Sequence, residues 1–241
     1  GMIFKGGSGS GINLSPLRSS YEALGGSGGT SSGPVSFMRG ADSSAGTIKS
    51  GGKTRRAAKM VILNVDHPDV EEFIWAKALE ERKARALEAA GFDMTLDGKD
   101  SFSVQYQNAN NSVRVNDDFM QAVVDDKEWD LKTVTTGKTT KTVRAKELLR
   151  QFAEAAWECA DPGMQYDTTI NKWHTAPKRG RVNASKPWSE YLFLDDTACI
   201  LMSFNFLKFY VDITVAIGVA GFRHACRLCT MVFDVIVVLA N

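Results

Sequence analysis

An apolar run that leads directly into a helix start constrains the fold of this chain most strongly. Residues 60–65 are apolar except for Asn64, which is typical of a strand. The next four residues, Asp-His-Pro-Asp, predict a helix N-terminus with Asp66 as the N-cap and Pro68 in the first turn. A buried helix face that ends before Gly91 is predicted from apolar residues at helical spacing, namely Val70, Phe73, Ile74 and Ala78. A strand followed at once by a helix predicts a βα unit.

Two further pairs of strand and helix follow along the chain. Residues 100–115 end in a short predicted strand, and Asn116 is the predicted N-cap of the next helix. A third helix is predicted over residues 145–160 and a strand over residues 164–170. The predicted buried stripe of that helix is Leu148, Leu149, Phe152, Ala156 and Trp157. This alternation predicts the α/β fold class.

The rest of the chain carries weaker structural signals. Residues 133–143 are β-branched around Gly137-Lys138, which predicts a peripheral hairpin with a two-residue turn. Two apolar runs, 210–222 and 228–240, each contain an Asp and are shorter than the ~20 residues that span a bilayer. We therefore expect both runs to be buried strand or helix, and we expect no membrane association.

Charge and cysteine content exclude several classes of function. The 29 Lys and Arg nearly balance the 28 Asp and Glu, so a net charge of +1 gives no general affinity for nucleic acid or membrane. The 241 residues, 44% of them hydrophobic, suffice for the core of one or two domains. Four scattered cysteines do not suggest a secreted disulfide framework, and no signal peptide is visible. A reducing, cytoplasmic location is expected.

Two glycine-rich stretches are candidate phosphate-binding loops. Residues 6–33 are typical either of a flexible linker or of a backbone that approaches phosphate closely. The apolar and basic insert 14–18, which ends at Arg18, favours the second interpretation. Residues 50–59 combine glycines with Lys53, Arg55, Arg56 and Lys59. Arginine binds phosphate oxygens bidentately, although a solvated basic turn is the alternative.

A short polar segment, residues 185–191, is the candidate catalytic site. It reads Ser-Lys-Pro-Trp-Ser-Glu-Tyr, and Cys199 follows it. A carboxylate such as Glu190 and a thiol are what a site needs when a proton-transfer group and a redox group face one substrate. The alternative is a turn that enters a strand. The Asn-rich residues 107–111 either line a site, because amides bind ribose and base edges, or serve turns.

Isolated histidines and cysteines carry little functional signal here. His67 and His174 have no neighbouring His or Cys in the sequence, so both are predicted to be structural. Cys226 and Cys229 have the Cys-x-x-Cys spacing, but a zinc site needs a second pair. No metal site is predicted.

Several of these segments, in this order, resemble the adenosylcobalamin-dependent (class II) ribonucleotide reductases. The match includes residues 64–74 and the family's active-site segment, which usually reads Asn-Pro-Cys-Ser-Glu-Tyr. The resemblance implies that Glu190 handles protons at the ribose, beside the substrate-binding residues Pro187 and Ser189. Lys186 stands at the family's Asn position, and Trp188 stands at the position of the radical Cys. An indole has no S–H to exchange with a ribose C–H.

The resemblance also implies roles outside this segment. Gly9 would lie against substrate, and Arg18 would lie near an allosteric effector. Cys199 would be one of two cysteines that reduce the substrate by closing into a disulfide, with its partner upstream of residue 1. The family's second specificity loop, between the effector and substrate sites, would contribute Lys53, Arg55 and Arg56.

The fold that the resemblance implies is a ten-stranded α/β barrel, of which this chain is a central piece. Residues 1–59 would hold the substrate and effector loops, 60–199 the strand and helix units with the active-site segment, and 200–241 a poorly matched tail. The implied function is radical reduction of ribonucleotides to 2′-deoxyribonucleotides for DNA synthesis. It uses adenosylcobalamin, a deoxynucleoside triphosphate effector and a thioredoxin-type reductant, in a possible homodimer. As written the chain is expected to be inactive because of Trp188, and the alternative is a non-catalytic nucleotide-binding homologue or a decayed gene product.

Overall fold

The computed structural model describes residues 9–47, 49–50, 55–56, 58–95, 98–199, 202–211 and 216–240. They belong to two compact units, Gly1–Asp195 and Asp196–Asn241. The strands are β1 (Gly9–Asn13), β2 (Lys49–Ser50), β3 (Arg55–Arg56), β4 (Ala58–Asn64), β5 (Ala109–Val115), β6 (Glu128–Lys132), β7 (Thr139–Arg144), β8 (Gly163–Tyr166), β9 (Tyr210–Val211) and β10 (Ala216–Ile217). The helices are α1 (Gly33–Thr47), α2 (Val70–Ala89), α3 (Asp117–Val124), α4 (Ala145–Cys159), α5 (Asp167–Lys172) and α6 (Val219–Ala240).

A parallel four-stranded sheet in the order β1-β4-β5-β8 forms the centre of the first unit. In its register, Ile62 of β4 lies opposite Ser112 of β5, and Arg114 of β5 lies opposite Gln165 of β8. Helices connect these strands, which confirms the predicted βα units. Successive strand residues point to opposite faces of the sheet, so the sheet has one apolar and one more polar face.

The apolar face of the sheet packs against the helices. Its buried cluster joins strand residues to residues of α2, α3 and α4, including Val61, Leu63, Val113, Val115, Phe73, Phe119 and Leu148. Full burial of such side chains contributes about 1.5–3 kcal/mol each. The helix-covered face therefore supplies most of the apolar stabilisation of this unit, and it leaves the opposite face available for a site.

The mixed α/β class is confirmed, whereas the described residues form no closed barrel. Besides the parallel sheet, they contain three antiparallel two-stranded pairs, β2-β3, β6-β7 and β9-β10. A barrel closes only when its first and last strands pair. Among the described residues, β1 and β8 are the two edges of the parallel sheet and do not pair with each other.

The helix of the first βα unit begins later than the sequence predicts. Its N-cap is Asp69, and the prediction of Asp66 is wrong. The intervening residues form turns, closed by hydrogen bonds from His67 N to Asn64 O (3.1 Å) and from Val70 N to His67 O (3.0 Å). Pro68 belongs to these turns rather than to the helix. The turn holds His67 next to the loop that follows β1 (see below).

Other helix boundaries agree with prediction, but one buried position does not. Gly91, just beyond α2, has φ +93°, which favours glycine at a helix end. Asn116 is the N-cap of α3, and its side chain accepts a hydrogen bond from Phe119 N (2.9 Å). On α4, Trp157 is 92% exposed and the stripe prediction is wrong there. It lies two residues from the buried Ala155, on the opposite side of the helix.

The predicted strand 164–170 is wrong beyond Tyr166. The chain turns there into the short helix α5. Asp167 in its first turn is favoured by the positive end of the helix dipole. Asn171 donates its side-chain amide to Asp167 O at 3.1 Å, which closes the turn of this helix.

A hairpin between α3 and α4 is confirmed, with different bounds from those predicted. Its strands β6 and β7 are joined by residues 133–138, so Gly137-Lys138 is not a two-residue turn. Hydrogen bonds from Thr133 N to Lys138 O and from Gly137 N to Thr133 O (both 2.9 Å) close this longer loop. The loop is also not peripheral, because its residues contact the segment after β1.

The second unit is small, and much of its apolar surface is exposed. Phe222, in the first turn of α6, packs against the rings of Phe204, Phe206 and Phe209. Farther along α6, Leu228 is 50% exposed and Met231 is 65% exposed, so the prediction that this run is buried is wrong. The aromatic contacts involve only the first turn of the helix. Across the described residues, no helix is both long and apolar enough to cross a membrane.

Candidate functional site

A polar segment lies across the sheet face opposite the helices. It comprises residues 183–191 and includes the candidate catalytic positions. Two glycines of β1 make this close approach possible. A Cβ atom at Gly9 would lie 2.5 Å from Pro187 Cδ, and one at Gly11 would lie 1.7 Å from Ser185 O. Any larger residue at these positions would displace the segment, so Gly9 packs directly against the candidate site, and its contact with a substrate stays a prediction.

Three strands hold this segment through side-chain amides. Asn13 of β1 donates to Asn183 O (2.9 Å), and Asn110 of β5 donates to Pro187 O (2.7 Å). Gln165 of β8 donates to Ser185 Oγ (2.7 Å) and to Ser189 Oγ (3.0 Å). The Asn-rich stretch therefore contributes to the site, whereas no sequence pattern indicates a role for Gln165. Its neighbours along β8 carry no pattern that marks it, and only the sheet register places it beneath the segment.

Residues 186–190 form a tight turn with Glu190 at its end. Ser189 N donates to Lys186 O (2.9 Å), and Ser189 has φ +56°, a left-handed conformation that is uncommon for a residue with a Cβ. The Glu190 carboxylate accepts from Trp188 N (2.9 Å), and its other oxygen lies 3.7 Å from Lys186 Nζ. The turn exposes the Trp188 side chain, which is 72% accessible. Residues 186, 188 and 190 thus meet on one short loop.

The chemistry available at this turn depends on its side chains. A carboxylate can accept and return a proton, and Glu190 lies beside the Lys186 ammonium and the backbone N–H of Trp188. Lys186 brings a positive charge where an amide would bring neutral donor and acceptor groups. Trp188 offers an indole N–H and no thiol. The turn therefore offers a carboxylate, an ammonium and an indole, and residues 186–190 include no thiol.

A buried arginine lies at the end of β5, next to Gln165 in the sheet. Arg114 is 3% exposed, and its Nε lies 3.2 Å from Asp167 Oδ1. Burial lowers the pKa of Arg114, while the Asp167 carboxylate counteracts this effect. Asp167 is shared with Arg181, whose Nη2 lies 2.6 Å from Oδ2. Asp167, in the first turn of α5, therefore lies beside two guanidinium groups, and the sequence did not single out this cluster.

The predicted anion-binding residues that the structure describes lie in two parts of the chain. Arg18 is exposed on the segment between β1 and α1. Arg55 and Arg56 form β3, where they pair with Ser50 and Lys49 of β2 in antiparallel register. Lys53 lies outside the described residues. Burial lowers the pKa of Lys59 at the beginning of β4.

The other candidate residues have structural surroundings or lie in the second unit. His67 is 3% exposed, donates from Nε2 to Leu17 O (3.0 Å) and accepts at Nδ1 from Asp69 N (3.1 Å), which confirms a structural role. His174 packs edge-on against Phe193. Cys199 is half-buried and belongs to the second unit. Within the described residues no cluster of His, Cys, Asp and Glu could hold a metal.

Comparison with known proteins identifies the family. A family model described as "Ribonucleotide reductase, barrel domain" matches residues 1–241. The chain belongs to the ribonucleotide reductase family. The glycine-lined sheet face and the turn at 186–190 lie within the region that matches the barrel domain of this family. The parallel sheet is then a part of that domain's α/β structure.

Three similar relatives are described as vitamin B12-dependent. The chain is 66% identical over 212 residues to "Vitamin B12-dependent ribonucleotide reductase" of Streptomyces coelicolor, covering 88% of this chain and 22% of the relative. It is 55% identical over 228 residues to the same-named protein of Rhodopirellula baltica, covering 94% of the chain and 22% of the relative. A "Vitamin B12-dependent ribonucleoside-diphosphate reductase" of Thermoplasma acidophilum is 35% identical over 211 residues, covering 88% and 24%. The chain thus spans less than a quarter of each of these relatives.

Proposed function

We propose that this chain is the active-site part of a vitamin B12-dependent ribonucleotide reductase, which converts ribonucleotides into 2′-deoxyribonucleotides. The observation that carries this proposal is the turn at 186–190, which side-chain amides from β5 and β8 hold on the sheet and which presents Glu190 beside position 188. The names of the relatives support the reaction and the cofactor class. A small substrate is expected to bind against the outside of the turn at Pro187 and Ser189, near Gly9, which packs against Pro187.

The proposed architecture is a ten-stranded barrel in which residues 1–241 belong to one catalytic domain. The support comes from the parallel order β1-β4-β5-β8 and from the family match. Both edge strands, β1 and β8, expose backbone groups that further strands would pair with. In this arrangement the polar sheet face would line the interior of the barrel, where the candidate segment already lies.

Each predicted site residue receives a proposed role. Glu190 transfers protons at the ribose, and Cys199 is one half of the reducing pair that a thioredoxin-type protein regenerates. Lys186 and Trp188 occupy the positions of the family's Asn and radical Cys. A deoxynucleoside triphosphate effector, bound in a possible homodimer, would be held by the cations Arg18, Lys53, Arg55 and Arg56.

Adenosylcobalamin would supply the radical chemistry of the proposed reaction. This chain is compatible with such a cofactor because the side chain at position 188 is 72% exposed and can be approached from outside the turn. Two cavities, of about 320 Å³ and about 760 Å³, lie along α1 and are not lined by residues 185–191. We therefore assign no corrin contacts to these residues, and the chain's own part is to hold the turn and Glu190.

A second candidate function is nucleotide binding without catalysis. Two observations favour it: Trp188 provides no thiol, and Lys186 places its ammonium 3.7 Å from the Glu190 carboxylate. In this case the glycine-rich loops and Arg18 would still bind a nucleoside triphosphate. The two candidate functions differ only in chemistry at the turn.

A chimaera separates the two candidates. Residues 1–241 replace the matching segment of the Streptomyces coelicolor relative, either unchanged or with Lys186→Asn and Trp188→Cys together. The proteins receive adenosylcobalamin, a dithiol and a ribonucleotide, and deoxyribonucleotide formation is measured by chromatography. We expect product only from the doubly substituted chimaera. Absence of product from both proteins, although both bind nucleotide, would leave binding as the function of this chain.

A further inference from the structure

The loop that carries Arg18 is fixed on both sides by buried side chains from the start of α2. Leu17 O accepts a hydrogen bond from His67 Nε2 (3.0 Å). Ser20 donates to the Asp69 carboxylate through its backbone N (2.9 Å) and its Oγ (2.8 Å). His67 and Asp69 are 3% and 2% exposed, so neither anchor is screened by solvent. The backbone is held while the Arg18 side chain itself remains exposed.

A third anchor, Glu22, connects the same loop to the hairpin. Its carboxylate accepts from Ser19 N (3.0 Å) and Ser19 Oγ (3.1 Å) within the loop. It also accepts from Val134 N (3.0 Å), Thr135 N (3.1 Å) and Thr135 Oγ1 (2.5 Å) at the turn between β6 and β7. Five donors therefore converge on one carboxylate that is 5% exposed. A loop that only had to reach α1 would not need this connection over more than a hundred residues.

We infer that Glu22 is a positioning residue for Arg18, and that the turn of the β6-β7 hairpin supports an anion-binding loop. This inference rests on the proposed binding of a deoxynucleoside triphosphate by Arg18. The glycine-rich residues 25–29 next to this loop favour many backbone conformations, so an unanchored loop would lose entropy on binding a phosphate. Glu22 connects Ser19 to the hairpin and so orders the loop in the free protein. Part of the entropy cost is therefore met before a ligand binds.

Substitutions at the hairpin turn test this without touching the loop. Thr135→Val removes one hydroxyl donor to Glu22 while preserving shape, and Thr135→Ser retains the hydroxyl. Thr142→Val is the matched control, because the Thr142 hydroxyl binds Asp130 within the hairpin (2.6 Å). The complete 241-residue chain and each variant are titrated with dATP and dTTP by calorimetry, below the onset of melting. Amide hydrogen exchange of residues 14–24 is measured on the same samples.

We expect Thr135→Val to weaken nucleotide binding about tenfold, because apparent affinity falls with the population of the binding-competent loop. Exchange of residues 14–24 should become faster, whereas Thr135→Ser and Thr142→Val should match the unaltered chain in both measurements. Equal affinity in all four proteins would refute the positioning role and leave the effector site intact. If the unaltered chain binds neither nucleotide, the proposed effector site is itself wrong, and the positioning role is wrong with it.

Discussion

Replacing Glu22 by Gln should make the first unit less stable, by an amount that depends on pH. Burial raises the pKa of Glu22, but hydrogen bonds from Thr135 and from the backbone of Ser19 and Val134 outweigh this and lower the pKa from 4.5 to about 2. At about 1.4 kcal/mol per pKa unit, the full shift corresponds to about 3 kcal/mol. The glutamine side chain keeps one acceptor oxygen for these donors, so we expect a loss of about 2 kcal/mol.

The sign of the pH dependence follows from the lowered pKa of Glu22. The carboxylate is easier to protonate in the unfolded chain, so its stabilisation is complete above pH 4.5 and is lost as the pH falls towards about 2. At pH 3 the Glu22 carboxylate should still stabilise the folded protein by about 1 kcal/mol. Glutamine does not titrate, and its amide N–H group would face the donors of Val134 and Thr135. The stability difference between the two proteins should therefore be larger at pH 7 than at pH 3.

Urea unfolding followed by tryptophan fluorescence at pH 7, 5 and 3 measures this difference. Glu154→Gln is the control, because Glu154 is half-exposed and pairs only with the neighbouring Arg150 in the described structure (2.6 Å). An exposed pair of this kind is worth little, so the control should differ from the unaltered chain by less than about 0.5 kcal/mol. A Glu22→Gln effect of the same size at all three pH values would show that the carboxylate charge does not hold the loop.

Three further predictions concern the candidate segment and the helices. Gly11→Ala should displace residues 183–191, because the new Cβ would lie 1.7 Å from Ser185 O. Amide hydrogen exchange should become faster in that segment and change little in the helices. Asn116→Ala should cost about 1 kcal/mol in urea unfolding through loss of the cap on α3, and Asn116→Asp should restore it. Trp157→Gln should leave the unfolding midpoint unchanged and reduce aggregation measured by light scattering, because this indole is 92% exposed; a loss above about 1 kcal/mol would mean that it is packed.

Local chemistry explains which parts of the fold were predictable. The apolar strand at 60–65, the stop at Gly91 and the cap at Asn116 depend on short-range preferences, and the structure has all three. The start of α2 was mispredicted because Asp66 and Asp69 both suit an N-cap, and tertiary hydrogen bonds between Asp69 and Ser20 accompany the later start. No local pattern contains such a partner 49 residues away.

The candidate site shows the same division between local and long-range information. The segment 185–191 was identified from its own residues, since Pro, Glu and small polar side chains together indicate a turn with a charge. Its support was not identified, because Gln165 gains its role from the register of β8 against β5. Glu22 and Thr135 lie in stretches read as a loop and a peripheral hairpin, and only their contact shows that they act together.

The residues that support the turn are different from the residues at positions 186 and 188, where the two substitutions are proposed. Asn110 and Gln165 bind the turn at Pro187 O and Ser189 Oγ, whereas Gly9 packs against the Pro187 ring and lies near the Lys186 side chain. The side chain at 188 projects into solvent, so a smaller thiol fits there without repacking. We therefore expect the hydrogen bonds that hold the turn to persist when positions 186 and 188 are changed. This is why two substitutions, and no change in the supporting residues, should suffice in the chimaera.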